Sequence, residues 1–311
     1  MSLLKSGSRL LPQGTAGRRG DVESGVAAAE TLHTGRGLGV FPACANPYCR
    51  SGWLRLWRRR ETPVFEGGWC CSEACTLACV EAAIAREMEV RGRVERSHCH
   101  RLPLGLAMLE RGWISSQALR AALHAQRTAG AGRLGHWLVC QQSVTEERVT
   151  RALALQWSCP VLRLEWDCLE GLTALLPRFL VDAFGALPLR VAANRIVYLG
   201  FEDRPDPALA LAMERISGLR VESGIVEESL FRTAHARMLE ARFPRAELIE
   251  ARTEAAMAAV LSRALERAQP REARLARVHD CLWLRLWMRP QSGPLPAADA
   301  IRDVICSTIT H

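Results

Sequence analysis

The chain has 311 residues, 49% of them apolar, and 41 basic against 33 acidic side chains give a formal net charge of +8. That leaves room for two or three small domains with buried cores, and because acids and bases are interspersed the charge alone does not mark a polyanion-binding protein. The only lysine is Lys5, which excludes any phosphate loop ending in Gly-Lys-Ser/Thr, where lysine must reach the β and γ phosphates of a nucleoside triphosphate.

The first 39 residues are rich in Gly, Ser, Arg and Ala without a period, and they are expected to form a disordered leader. No continuous apolar h-region lies in the first twenty residues and no later window offers the roughly 20 uncharged residues of a membrane span. Twelve cysteines in such a chain point to reduced or metal-bound thiols and to the cytoplasm.

Cysteines then come in two close pairs, Cys44 with Cys49 and Cys71 with Cys75, the second pair opening an apolar helix that runs towards Glu95. Four soft thiolates in this spacing suit a structural zinc ion, and a helix start favours thiolate through its dipole. The arrangement resembles a treble-clef zinc finger, in which a knuckle, a hairpin and a helix start hold the metal; the alternative is four reduced, buried cysteines. Trp53-Leu54-Arg55-Leu56-Trp57 alternates as a strand of that hairpin would, Cys70 and Cys79 are spare thiols, and His98-Cys99-His100 is either a substitute for one ligand or, more often for such a cluster, a polar linker.

From Pro103 to Gln156 one sequence is written twice, thirty residues apart and without a gap: Leu104-Gly105 falls on Leu134-Gly135, Met108 on Leu138, Ile114 on Val144, Leu119 on Val149 and Gln126 on Gln156. Each copy reads as a short apolar helix, a polar break, and a longer amphipathic helix with Ser115 or Thr145 at its N-cap. Beyond it, strands are expected at Pro160 to Leu164, Ala186 to Arg190, Arg195 to Phe201 and Leu219 to Val226. Helices are expected at Leu172 to Phe184, from Pro207 to Ile216 with Gly218 as its stop, and from Glu227. From Ala236 to Gln269 the pattern reads as two helices broken near Phe243-Pro244. The segment from Leu275 to Met288 looks extended and repeats the pentapeptide as Trp283-Leu284-Arg285-Leu286-Trp287, with both tryptophans and the arginine on one face.

The segments LGLAMLERGWISSQALRAALHAQ and RLGHWLVCQQSVTEERVTRALALQ resemble the tandem motif of MshEN domains, the N-terminal modules of the ATPases that drive type II secretion and type IV pili. The likeness runs on through SCPVLRLEWDCLEGLTALLPRF to about Ala236. The resemblance implies a regulatory or docking module without its motor, with secretion or pilus assembly components as partners and cyclic di-GMP as a ligand, since a subset of the family binds it. It also implies the ligand-binding residues Leu104, Gly105, Gln126, Arg133, Leu134, Gly135 and Gln156. The second copy keeps the whole Arg-Leu-Gly/Gln pattern, whereas the first has Pro103 where arginine is expected, with Arg101 two residues early.

The expected fold class is α+β and multidomain: a zinc-ribbon or treble-clef-like module and helix at 40–100, the helical tandem repeat at 101–157, a small layered α/β sheet domain at 158–240 and a helical and extended tail at 241–311. No catalytic constellation is legible: there is no Gly-x-Ser-x-Gly elbow, no His-Glu-x-x-His helix and no convincing carboxylate pair, so a non-enzyme is expected. Two other readings stand beside the sensing module. One is a protein-interaction adaptor with a structural zinc and no nucleotide ligand. The other is a zinc-containing nucleic-acid binder, suggested by Arg58-Arg59-Arg60 and disfavoured because bases and aromatics do not otherwise interleave on one surface.

Overall fold

The computed structural model describes residues 44–50, 61–94, 101–165, 171–290, 293 and 295–308. The leader at 1–39, the first Trp-Leu-Arg-Leu-Trp segment, Arg58 to Arg60 and His98 to His100 lie outside them.

The first described elements are β1 (Val64–Phe65) and β2 (Gly68–Trp69), an antiparallel hairpin. Its turn residues Glu66 and Gly67 both have positive φ (49° and 76°), the backbone hand that a two-residue hairpin turn needs. The long helix α1 (Glu73–Val94) follows at once.

Four helices make the repeat: α2 (Leu104–Glu110), α3 (Ser116–Ala129), α4 (Leu134–Cys140) and α5 (Glu146–Trp157). The two short and two long helices keep the thirty-residue offset of the sequence. Met108, Ile114 and Ala122 of the first copy pack with Leu138, Val144, Val149 and Ala152 of the second in one small core. Ser115 caps α3, its side chain accepting from the Ala118 amide at 3.1 Å, whereas Thr145 occupies the same position before α5 without a side-chain cap.

The next part is α6 (Arg178–Phe184), β3 (Ala186–Ala192), β4 (Ile196–Phe201), α7 (Pro207–Ser217), β5 (Arg220–Ile225) and α8 (Glu228–Glu240), built around a three-stranded sheet of order β3-β4-β5. The helix expected from Leu172 is split: 171–174 form a single tight turn and α6 begins after Pro177, because proline cannot continue a helix from within. Pro160 to Leu164 contributes only an isolated bridge, Val161 to Ile225. Asp206 caps α7 by accepting from the amides of Ala208 and Leu209, and Gly218 ends it with φ 72°.

The C-terminal part differs most from the sequence reading. Arg245 to Ala251, expected as helix, is the strand β6 (Arg245–Ala251), followed by α9 (Glu254–Ala268), β7 (Glu272–Val278), β8 (Cys281–Trp287) and β9 (Ile301–Thr308). Its residues Ala, Glu and Leu favour helix in isolation. Parallel pairing with β9, seven register partners long, overrides that preference, and the strand closes a sheet of order β6-β9-β8-β7.

The strand β8 is buried on both faces, whereas β6 at the sheet's edge is largely exposed. Leu282, Leu284 and Leu286 of β8 pack with Ile84 of α1 and Leu261 of α9, while Trp283 and Trp287 point to the opposite side and join the core built on β3, β4 and α7. The pentapeptide's alternation is therefore a division of labour between two cores. With nine helices and three small sheets among the described residues, the protein is of the α+β class. No described helix is long and apolar enough to cross a membrane.

Candidate functional site

The repeat is closed on itself by its two glutamines. At the end of α3, Gln126 Nε2 donates to the Gly132 carbonyl at 2.8 Å; at the end of α5, Gln156 Nε2 donates to the Leu102 carbonyl at 2.9 Å. Each amide thus grips the backbone two residues before a Leu-Gly pair, and the two bonds are related by the thirty-residue offset. The short helices meet at their beginnings: a Cβ on Gly105 would lie 3.1 Å from Leu134 Cδ2, and one on Gly135 would lie 3.8 Å from Leu104 Cδ2. Leu104, Leu134, Gln126 and Gln156 are thereby gathered around one approximate two-fold axis.

The glycines have a packing duty at the same place. An added Cβ would approach Leu119 Cδ1 to 2.6 Å at Gly105 and Val149 Cγ1 to 2.7 Å at Gly135, so each lets a short helix lie against the long helix of its own copy. Gly135→Ala is expected to cost about 1–3 kcal/mol through this overlap, measured by urea unfolding, whereas the same change at an uncrowded helical position stabilises by roughly 0.5–1 kcal/mol. The polar breaks also correspond: Gly112 has φ 66° and its counterpart Gln142 φ 54°. Glutamine there holds a left-handed conformation that glycine adopts without steric cost.

Arg133 stands just before α4, and its side chain remains 43% exposed. Its guanidinium reaches Glu202 Oε1 at 2.7 Å and Asp203 Oδ2 at 3.1 Å on the loop after β4. Burial opposes its charge, but the hydrogen bond to Glu202 and the nearby carboxylates outweigh that and hold it more firmly protonated than usual. Glu202 also takes Arg232 at 3.0 Å, and Glu146 of α5 accepts from the Ser229 amide and hydroxyl at the start of α8. A charged seam thus fastens the repeat to the sheet part.

Three residues of this region were not legible as a group. Arg101 lies over the Trp157 ring with Cζ 3.7 Å from its centroid, and Arg204 approaches the same ring to 5.4 Å. Only the early position of Arg101 in the first motif hinted at it, since Arg204 comes from a loop about a hundred residues further on.

The second candidate site is the cysteine cluster. The Ala45 amide donates to the Trp69 carbonyl at 2.7 Å, the Cys49 amide to the Asn46 carbonyl at 3.1 Å, and the Asn46 side chain accepts from the Tyr48 amide at 2.9 Å. That tight loop presents Cys44 and Cys49 beside the hairpin, while Cys71 and Cys75 flank the start of α1. The Cys49 and Cys71 sulfurs are 3.5 Å apart, Cys71 and Cys75 are 3.6 Å apart, and all four sulfurs lie within 4.8 Å of one another. A tetrahedral zinc with bonds of about 2.3 Å sets its sulfurs roughly 3.8 Å apart, so the four donors fit that ion with small adjustment. Burial pushes the Cys44 thiol up to about 12. Cys70 and Cys79, beside the cluster, are hydrogen-bonded to each other; sharing that proton raises Cys70, with burial adding to it, and lowers Cys79.

No family model matches the chain. Bacteriophage adsorption protein B of Escherichia coli (strain K12) and bacteriophage N4 adsorption protein B of Escherichia coli O157:H7 are each 31% identical to it over 125 residues, which is 40% of this chain and 16% of theirs. The matched stretch is thus a small part of those relatives. Among solved structures, MshE with cdg is 25% identical over 44% of this chain and 99% of its own, with a TM-score of 0.35. The N-terminal domain of XpsE is 18% identical over 43% and 92%, with a TM-score of 0.29.

Proposed function

We propose that the chain is a non-catalytic regulatory and docking module whose duplicated helical repeat binds a cyclic dinucleotide, cyclic di-GMP, and whose four cysteines hold a structural zinc. Secretion or pilus assembly components are the partners this reading implies. The observation that carries it is the two-fold meeting of the motif ends: Leu104, Leu134, Gln126 and Gln156 converge on one axis, with Arg133 exposed beside it. A ligand made of two guanines and two phosphates has that same symmetry. Arginine's planar fork suits a phosphate or a guanine edge. A local match to much longer proteins also fits a module that recurs in larger chains.

Ligand binding at Arg133 competes with Glu202 and Asp203, and this ion pair favours the adaptor reading, in which Arg133 only fastens the repeat. Calorimetry with cyclic di-GMP separates the two. The native chain is expected to bind, and Arg133→Ala to weaken binding by about ten-fold to a hundred-fold, the value of a charge-assisted hydrogen bond. Binding that Arg133→Ala leaves unchanged would put the ligand elsewhere, and flat titrations at high ligand would leave the adaptor.

A further inference from the structure

The first motif lacks its arginine, yet two others approach the Trp157 ring, next to the glutamine that grips the backbone before that motif. Arg101 precedes Leu102, whose carbonyl takes the Gln156 amide, and its guanidinium carbon stands 3.7 Å from the ring centre of Trp157, the residue after that glutamine. Arg204 reaches the same indole from the loop whose Glu202 and Asp203 hold Arg133. Two cations gathered at one ring repel each other, and among the described residues neither is paired with a carboxylate. An indole face attracts a guanidinium without occupying its N–H donors, which stay available to an anion. Such a pair is completed by an anion with several acceptor oxygens. Arg133, by contrast, already has two carboxylates.

We infer that Arg101 and Arg204, gathered on Trp157, form a phosphate subsite that replaces the arginine missing at Pro103 and receives one phosphate of the cyclic dinucleotide, the other falling to Arg133. This rests on the ligand reading given above. The loop 202–204 then lies between the two phosphate positions, with acids facing Arg133 and a base facing the first motif.

The test is calorimetry of the full chain with cyclic di-GMP, on the native protein, on Arg101→Ala with Arg204→Ala, and on that double variant carrying Pro103→Arg. The double variant is expected to lose about ten-fold or more in affinity, while both arginines, being exposed, leave the melting temperature where it was. Pro103→Arg, returning a guanidinium to the motif position, is expected to restore part of that loss, which a merely structural role for the pair would not allow. Native affinity in the double variant overturns the subsite and leaves the ligand reading standing. A native chain that fails to bind millimolar cyclic di-GMP overturns both.

Discussion

Arg285→Met is expected to cost about 3–5 kcal/mol of folding stability, the usual consequence of removing one partner from a buried ion pair. Arg285 on β8 is 1% exposed. Its Nε and Nη2 donate to the two oxygens of Asp303 at 2.8 and 2.9 Å, and its Nη1 donates to the carbonyls of Ala174 and Leu175 at 2.7 and 3.0 Å. Methionine fills much of the volume but leaves the Asp303 carboxylate, among the described residues, with the Trp283 indole N–H at 2.8 Å as its side-chain donor, and leaves the two carbonyls without this donor. Combining Arg285→Met with Asp303→Leu is expected to recover a large share of the loss, since the uncompensated charge goes too. Urea unfolding measures both. A single variant within about 1 kcal/mol of native would contradict the buried-pair reading.

Removal of the zinc proposed for Cys44, Cys49, Cys71 and Cys75 is the other large effect expected, because structural zinc sites contribute apparent binding energies of about 10–16 kcal/mol that double as folding energy. The structure says where the damage should travel. Phe65 of the hairpin and Val80, Ala83 and Ile84 of α1 share a core with Met257, Leu261 and Leu265 of α9 and with Leu275, Leu282 and Leu284 of the C-terminal sheet. The hairpin also lies along that sheet, its Val64 and Glu66 amides donating to the Pro270 and Ala273 carbonyls at 3.1 and 2.7 Å. Chelation, or Cys71→Ser, is therefore expected to lower the melting temperature and loosen α1, α9 and β7 together, while the repeat keeps its own core. Purified protein is expected to carry one zinc per chain by metal analysis. Well under one, with an unchanged fold, rules the metal out.

What the sequence made legible is local. The repeat declared itself through a gapless thirty-residue register, and the two cysteine pairs through their spacing and the helix that begins at the second. Pro207 and Gly218 marked the limits of α7, because capping and proline chemistry act within a few residues. What stayed hidden depends on partners far along the chain. Nothing within Arg245 to Ala251 marks it as a strand until β9, more than fifty residues later, lies beside it. The Arg285–Asp303 pair, the seating of α1 on α9 and the meeting of Arg101 with Arg204 on Trp157 are of the same kind. Of the ligand-binding residues the resemblance implied, the structure adds packing duties for Gly105 and Gly135 and an ion pair for Arg133 that the motif alone could not reveal.

Other contacts along the seam bear on how a ligand signal could leave the repeat. The His279 imidazole, in the turn between β7 and β8, lies 2.6 Å from Asp206 at the start of α7. That hydrogen bond raises the imidazole above its ordinary value. Burial works against ionisation of Asp206, but the same bond and the amides of Leu209 and Ala208 hold the carboxyl below its usual range. The loop that carries Glu202, Asp203 and Arg204 runs directly into this cap, and the carboxylates that hold Arg133 lie four and five positions before Pro207, the first residue of α7.

Hydrogen–deuterium exchange of the native chain with and without cyclic di-GMP tests the central claim most directly, because it reports where a ligand acts as well as whether it binds. Slower exchange is expected around residues 102–106 and 132–136 alike, at the beginnings of α2 and α4, and in the loop 202–204, with no change at the cysteine cluster. Unchanged exchange in both helix beginnings at saturating ligand, or protection confined to some other part of the chain, would contradict a two-fold ligand site in the repeat.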